Sequence, residues 1–284
     1  LAERLIPTLL SLETCGAEIS YSGADKLLNF EVMQIFYRDK DSELRAVTYF
    51  SALPIYHEKI RQMNICFASS RTELAVSLAR YFEDIVSDDT SYSYGDNIIA
   101  GSSFEKSLIT LIREEEDKGT DGRIFIKTEN ITNSSICKHL IDSSKKGVRI
   151  RIINSGANSI LPASRGETDN IEIISIAGSY FDSTAIYIFG SGRDEKVYIS
   201  SADLDSRSLD KNNELAIKMD DRKIINRIKR MLSYYLKDIF NCQKLDSHGN
   251  YHHIMDENAT SDVYEALSDE ANLLPESFAH FLQM

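Results

Sequence analysis

Residues 196–217 read KVYISSADLDSRSLDKNNELAI, and this stretch carries the strongest fold signal in the chain. Residues 197–199 are β-branched or aromatic and predict a buried strand. A second strand is predicted at residues 214–219, after a polar loop. Small residues such as Ser201 at the end of a strand let a ligand approach the backbone, and the planar guanidinium of Arg207 fits a phosphate group. The stretch therefore predicts two strands joined by a polar loop, with a candidate anion site in that loop.

The same loop also has a simpler interpretation. Asp203 and Asp210 are residue types that form Asx turns, in which the side chain binds the backbone two residues further on. A polar loop between two strands would need no ligand. On this stretch alone, the simpler interpretation is favoured.

The composition is that of a globular protein with an acidic surface. The chain has 284 residues, of which 42% are hydrophobic and 27% charged, which suits one large or two medium domains. Its net charge of −12 disfavours nucleic acid as a partner, because nucleic-acid-binding proteins present a basic face. Other polyanions are disfavoured too, unless lysines and arginines gather in one channel.

Targeting and redox signals favour a cytoplasmic protein. No apolar run is long enough for a transmembrane helix, and the first residues, LAERLIPTLL, lack the pattern of a signal peptide. The four cysteines are widely spaced and form no CxxC pair, which indicates reduced thiols instead of disulfides or a zinc site.

Predicted helices and strands alternate along the chain. Helices are predicted at residues 2–12, 70–86, 102–117, 134–144 and 221–239, with capping boxes at Ser70 and Ser102 and with Gly147 closing the fourth helix. Strands are predicted at residues 17–21, 32–37, 46–50, 97–100, 122–128, 148–153, 171–176, 185–189, 197–199 and 214–219, and residues 62–68 form a further short apolar segment. The strands at 32–37 and 46–50 are expected to form a hairpin. Beyond residue 97 the alternation favours an α/β layer fold with a largely parallel sheet.

The order Ser-Ala-Asp, Arg, Leu-Asp and Glu within residues 196–217 resembles the last signature of bacterial polyphosphate kinases. Further landmarks of that family recur along residues 1–251. They are Tyr56-His57-Glu58-Lys59, Ile124-Phe125-Ile126-Lys127, Lys146-Gly147-Val148, Leu161-Pro162 and Asp169-Asn170-Ile171. The resemblance therefore covers most of the chain.

The resemblance implies an α/β fold of two phospholipase-D-like domains, with mixed sheets flanked by helices and with the first domain incomplete at its N-terminus. Residues 1–92 would form part of the first domain, residues 93–250 the second, and residues 251–284 an acidic C-terminal tail. The tail contains no Lys or Arg, and its pair His252-His253 is favoured as part of a solvated loop over a metal site.

The residues that perform the family's chemistry are substituted in this sequence. The resemblance places the histidine that carries the phosphoryl group at Asn29 and the second family histidine at Ser183. It places two phosphate-binding arginines at Ser155 and Asn212, and a lysine at Glu31. An amide nitrogen is not a nucleophile, and a serine without a neighbouring base cannot exchange protons near neutral pH. No catalytic residue is therefore assigned.

Some phosphate-binding positions are retained. Lys59, Ser201 and Arg207 are assigned as a weak phosphate site, while Lys127, Asp203 and Asp210 could support it or simply hold the loops in shape. The resemblance implies ATP with Mg²⁺, or polyphosphate, as ligands, and a homo-oligomer as the assembly. The family's tyrosine and aspartate near the nucleotide fall at Asn64 and Cys66.

Three functions are compatible with these observations. The favoured one is a degenerate polyphosphate-kinase-like protein with a weakened ATP or polyphosphate site. The second is an active polyphosphate kinase that forms a phosphoenzyme intermediate. The third is a non-catalytic α/β module for binding or oligomerisation.

Overall fold

The computed structural model describes residues 2–20, 26–52, 62–87, 94–176, 181–182, 184–238, 240–254, 262–264 and 266–267. The helices are α1 (Ala2–Thr14), α2 (Thr72–Ser87), α3 (Phe104–Glu116), α4 (Ser134–Lys145), α5 (Ser206–Lys211) and α6 (Arg222–Tyr235). The strands are β1 (Glu31–Arg38), β2 (Leu44–Ser51), β3 (Gln62–Met63), β4 (Cys66–Ser69), β5 (Ile98–Ala100), β6 (Arg123–Thr128), β7 (Arg149–Asn154), β8 (Ile171–Ile176), β9 (Phe181–Asp182), β10 (Ala185–Phe189), β11 (Lys196–Ser200), β12 (Leu215–Met219), β13 (Cys242–Leu245) and β14 (Tyr251–His253).

The first third of the chain forms a small antiparallel sheet. Strands β1, β2 and β4 lie in the order β1-β2-β4, and β1 and β2 form the hairpin expected from their sequence. The strand predicted at residues 17–21 is wrong for residues 17–20, which have no ladder partner among the described residues. Without such a partner, the backbone groups of a segment cannot be satisfied in a sheet.

The rest of the chain is built on a nine-stranded sheet in the order β14-β13-β8-β7-β6-β10-β11-β12-β5. Only the pairs β6–β7 and β7–β8 are parallel, whereas the other pairings in this sheet are antiparallel. The expectation of a largely parallel sheet is wrong. Long crossovers lead from β6 to β7 and from β7 to β8, whereas shorter connections such as that between β10 and β11 return the chain antiparallel. The mixed α/β fold class is confirmed.

Each face of the large sheet has its own core. One face, which includes Ile126 and Ile152, packs with α3 and α4. The other face, which includes Ile199 and Ile217, packs with residues of α2, α6 and the small sheet. The small sheet therefore shares a core with the large one, although no strands pair between the two sheets within the described residues. The division at residues 92 and 93 lies outside the described residues and stays a prediction.

Helix ends agree with the sequence signals at some sites only. Asn133 caps α4, because its side chain accepts a hydrogen bond from the backbone N–H of Ile136. Gly147 follows α4 with a φ of +95°, as expected for the residue that closes a helix. The capping box at Ser102 is wrong: a 3₁₀ turn precedes α3, and Glu105 instead accepts a hydrogen bond from the Asn133 side chain.

A buried aspartate, Asp238, holds the segment around Val263 against the sheet. Asp238 is fully buried and accepts hydrogen bonds from the backbone N–H groups of Phe240, Asn241 and Val263 and from the Asn241 side chain. As a result, Val263, Tyr264 and Leu267 are buried against β7 and β8. No helix within the described residues is long and apolar enough to cross a membrane.

Replacing this aspartate should destabilise the protein. Asp238→Ala leaves four donors without their acceptor, and hydrogen bonds to a charged group contribute about 1.5–3 kcal/mol each when one partner is lost. We expect the free energy of unfolding, measured in urea by circular dichroism, to fall by about 3 kcal/mol or more. The exposed Asp194 serves as the control, and Asp194→Ala should change stability by less than about 0.5 kcal/mol. Equal urea midpoints for the two variants would contradict the role of Asp238.

Candidate functional site

The candidate site lies where strands of the nine-stranded sheet end, on the side to which the parallel strands point their carboxyl ends. This end of the strands is called the site edge below. Strands β6, β7 and β11 run in the same direction and end at this edge, whereas β10 and β12 begin there. The loops after β6, β7 and β11 are joined by backbone bridges, in which Ile131 pairs with Asn158 and with Leu204. In sheets of this kind, residues at the carboxyl ends of parallel strands form the usual ligand site.

Glu214 is the centre of this site. It is buried just before β12, and three side chains donate hydrogen bonds to its carboxylate. Asn29 and Asn212 each donate from Nδ2 to Oε1, at 2.8 Å and 3.0 Å, and the Ser201 hydroxyl donates to Oε2 at 2.5 Å. Asn29 reaches Glu214 because the backbone N–H of Asn213 donates to the carbonyl of Leu27. Three of the residues assigned from the sequence therefore meet at one carboxylate.

Burial raises the pKa of Glu214 from 4.5 to about 7, because the charged carboxylate loses its hydration. The hydrogen bonds from Ser201, Asn29 and Asn212 act in the opposite direction, since they favour the ionised form. The nearby carboxylate of Asp203 raises the pKa further. Glu214 thus changes its charge close to neutral pH.

Asp203 holds two loops together. Its carboxylate accepts hydrogen bonds from the hydroxyl of Thr128, the backbone N–H of Glu129 and the side chain of Asn130. The Asx turn predicted at Asp203 is wrong, because these partners lie at the end of β6. The turn predicted at Asp210 is also wrong, since this residue lies within α5, which the sequence analysis missed and which Asp205 caps.

Lys127 is buried in an ion pair. Its ammonium donates to Asp182 Oδ1 at 2.6 Å and to the carbonyl of Thr184 at 2.9 Å. The hydroxyl of Tyr235 donates to the other oxygen of Asp182 at 2.6 Å. The charge of Lys127 is therefore neutralised within the protein. Ser155, a predicted arginine position, donates to the backbone carbonyl of Asp182 at 2.9 Å.

The other assigned residues are dispersed or lie outside the described residues. Arg207 is exposed on α5, and no hydrogen bond or ion pair joins it to the part of the chain that the structure describes. Lys59 and Ser183 lie outside the described residues, so their assignments stay predictions. Away from this edge, Asn64 and Cys66 both donate hydrogen bonds to the Ser51 hydroxyl.

The charge at this edge is predominantly negative. Burial raises the pKa of Asp203 and that of Glu129, and Asp203 raises the pKa of Glu129 further. Glu129 and Asp203 are therefore close enough for the charge of Asp203 to disfavour ionisation of Glu129. Within the described residues, no group of three or more His, Cys, Asp or Glu side chains could hold a metal ion. The described residues of this edge thus fit neither Mg²⁺ nor a polyphosphate chain well.

His252 lies apart from this edge. It belongs to β14, not to the loop that the sequence favours, and it contacts Asp246.

Sequence reasoning missed the residues that organise the edge. The sequence places Glu214 in a predicted strand and in the family signature, and it assigns no role to Asp182 or Tyr235. One signal was available: Lys127 and Glu214 are charged residues within predicted apolar strands, and Asp182 closely precedes another, and at such positions a charge is retained only with a partner.

Comparison with known families gives the same fold and a family assignment. The family model described as "Polyphosphate kinase C-terminal domain 2" matches residues 98–263, more than half of the chain. The chain belongs to this family. The resemblance drawn from the sequence is confirmed, whereas the proposed substitution of the catalytic residues stays a prediction.

Curated relatives of this polyphosphate kinase family member match most of its length. "Polyphosphate kinase" of Helicobacter pylori (strain J99 / ATCC 700824) is 30% identical over 87% of this chain and 36% of the relative. "Polyphosphate kinase" of Parasynechococcus marenigrum (strain WH8102) is 27% identical over 84% of this chain and 34% of the relative. The chain thus spans about a third of the length of the curated relatives it matches.

Solved structures share the fold. The polyphosphate kinase from Porphyromonas gingivalis superposes with a TM-score of 0.83 at 20% identity, over 94% of this chain and 42% of that one. The phosphatidylserine synthase of Haemophilus influenzae Rd KW20 superposes with a TM-score of 0.50 at 11% identity, over 82% of this chain and 68% of that one. At these identities, the likeness concerns the fold alone.

The buried carboxylate should make stability depend on pH. The pKa of Glu214 is higher in the folded protein than in the unfolded chain, so its contribution is complete below about pH 4.5 and is lost as pH rises through about 7. Glu214→Gln retains an oxygen for the two asparagines and an amide that can donate to Ser201. We expect this variant to match the original chain near pH 4.5 and to exceed it by about 3 kcal/mol at pH 8.

Urea unfolding at pH 4.5, 6, 7 and 8 measures this difference. Glu167 is exposed, and Glu167→Gln provides a control that should run parallel to the original chain across this range. Parallel curves for Glu214→Gln as well would show that Glu214 ionises normally.

The buried ion pair gives a second prediction. Lys127→Met leaves the Asp182 carboxylate without its cation, and breaking a buried ion pair on one side costs about 3–5 kcal/mol. Adding Asp182→Asn removes the remaining charge while keeping an acceptor for Tyr235, so the double variant should recover part of the loss. Thermal and urea unfolding report both values, and a double variant less stable than Lys127→Met would contradict the pairing.

Proposed function

We propose that this chain is a polyphosphate-kinase-like protein that retains the scaffold of its family, lacks phosphoryl transfer, and binds ATP or polyphosphate weakly at most. The observation that carries the proposal is the contact of Asn29 and Asn212 with the buried Glu214. The family resemblance assigns a histidine to the first position and an arginine to the second. The proposal includes a cytoplasmic location and a homo-oligomeric assembly, which the same resemblance implies.

The missing nucleophile is the first argument. Transfer through an enzyme intermediate needs an atom that attacks the phosphoryl group. The lone pair of the Asn29 amide nitrogen is delocalised, so this atom is not a nucleophile. The same nitrogen, Nδ2, donates a hydrogen bond to Glu214 Oε1 at 2.8 Å. The Glu214 carboxylate could orient a histidine at position 29 and stabilise its protonated form. In this chain it binds the Asn29 amide instead.

The electrostatics of the edge are the second argument. A phosphoryl group in transfer needs cations around its oxygens. Lys127 is neutralised by Asp182, and Ser155 and Asn212 carry no charge. Each lost charged hydrogen bond weakens binding by about 1.5–3 kcal/mol, so two losses amount to roughly two to four orders of magnitude. Glu129 and Asp203 repel a polyanion in addition.

Direct phosphorylation tests the proposal. Incubation with γ-³²P-labelled ATP and Mg²⁺ should leave no acid-labile, base-stable phosphate on the chain, and polyphosphate should not accumulate. The Helicobacter pylori relative named polyphosphate kinase is the positive control in the same assay. Labelled phosphohistidine on this chain would overturn the proposal and favour an active kinase.

A restoration experiment separates the two arguments. Asn29→His with Ser183→His supplies both family histidines but leaves positions 155 and 212 uncharged, so we expect no measurable transfer. Adding Ser155→Arg and Asn212→Arg supplies the cations and should raise labelling above that of the double variant. Full activity in the double variant alone would show that the arginine positions are dispensable. Calorimetric titration with ATP and with polyphosphate distinguishes a weakened site from a module that binds neither.

A further inference from the structure

A groove lies at the other end of the same strands, away from the candidate site, where β6 and β7 begin. It has a volume of about 540 Å³, and its apolar lining includes Phe125, Ile150 and Pro162. Arg123 and Thr128 stand at opposite ends of β6, which at about 3.3 Å per residue separates the groove from the site edge by roughly 17 Å. The two features therefore use different residues and cannot share one small ligand.

Three arginines converge in this groove. Arg123 and Arg149 occupy matched register positions on the parallel strands β6 and β7, so their side chains leave the same face about 4.8 Å apart. Arg151 follows two residues later on β7 and points to the same face, about 6.6 Å further along the strand. Like charges opposite one another destabilise a sheet unless something neutralises them.

The carboxylates of the groove neutralise only part of this charge. Glu172 accepts hydrogen bonds from both Arg151, at 2.6 Å, and Lys244, at 2.8 Å, and these two cations lower its pKa. The Asp169 carboxylate accepts from the backbone N–H of Gly166, in the loop beside the groove. With four cations and two carboxylates, the lining carries two uncompensated positive charges in a chain whose net charge is −12.

The uncompensated charges belong to Arg123 and Arg149. The Arg123 guanidinium donates from one nitrogen to the carbonyls of Thr120 and Gly122, and neither of these acceptors is charged. The Arg149 side chain is exposed, and within the described residues no hydrogen bond or ion pair engages its guanidinium. Beside Arg123, Glu115 is already paired with Lys118 at 2.5 Å. The guanidinium groups of Arg123 and Arg149 therefore both line the groove, and both have N–H donors without a partner among the described residues.

We propose that this groove is a second ligand site, which binds a phosphate-type dianion between Arg123 and Arg149. Guanidinium groups bind phosphate oxygens through paired N–H donors, and two arginines match two negative charges. The apolar lining would accommodate an organic group attached to the phosphate. This site is separate from the edge around Glu214 and does not depend on the function proposed for that edge.

A single introduced fluorophore tests the site directly. The sequence contains no tryptophan, and Leu161 is 52% exposed beside Pro162 in the groove wall. Leu161→Trp therefore gives an indole that reports on the groove alone. Titration at constant low ionic strength and pH 8, in a buffer that contains no other phosphate, uses inorganic phosphate in one arm and adenosine 5′-monophosphate in the other. We expect saturable 1:1 binding below about 1 mM in at least one arm, and the stronger arm identifies a bare or an organic phosphate.

Charge-removing variants in the Leu161→Trp background decide the outcome. Arg149→Gln should weaken binding at least tenfold, because a charged hydrogen bond is lost, and Arg123→Gln should act in the same direction. Arg38→Gln, on β1 of the small sheet, is the matched control: Arg38 is exposed and lies outside the groove, so this variant should leave the binding unchanged. The Arg149 side chain is exposed and has no partner within the described chain, so its variant should fold normally, which circular dichroism checks. Absence of saturable binding in both arms, or equal binding by Arg149→Gln and Arg38→Gln, would overturn the proposal.

Discussion

The arrangement of residues at the site edge depends on one constraint: both oxygens of the buried Glu214 carboxylate need hydrogen-bond donors. Glu214 meets this requirement with donors from three separate segments, namely Asn29 before β1, Ser201 after β11 and Asn212 beyond α5. The hydroxyl of Tyr81 on α2 adds a hydrogen bond to the backbone carbonyl of the same residue. These contacts join the first third of the chain to the large sheet. Glu214 is therefore the residue that connects the two parts of the fold at this edge.

The same network shows that neutral donors are enough to satisfy a buried carboxylate. Asn29, Ser201 and Asn212 carry no charge, yet both carboxylate oxygens of Glu214 accept hydrogen bonds from them. The substitution of charged residues proposed above would therefore change the charge at this edge without leaving the carboxylate unsatisfied, because hydrogen bonding and net charge are separable properties.

The sequence predicted the local structure better than the arrangement of the site. Residues 196–217 indicate two strands, and the hairpin of residues 32–37 and 46–50 follows from alternation and a polar turn. Parallel and antiparallel neighbours could not be distinguished, because pairing depends on contacts between distant segments. The role of Asp203 was missed for the same reason, since its partners Thr128 and Asn130 lie more than 70 residues away. Short α5 lacked the apolar periodicity that reveals longer helices.

The shared core has a consequence for how this chain can be divided. The family model begins at residue 98, yet the face of the sheet that carries Ile199 and Ile217 is covered in part by Phe50, Leu74 and Leu78, which precede that residue. A polypeptide limited to residues 98–263 would expose these isoleucines to water as one contiguous apolar surface, and such surfaces cause proteins to associate. The unit recognised by sequence comparison is therefore smaller than the set of residues that buries this core. Evolutionary insertion or fusion at residue 98 would have to supply another cover for this face.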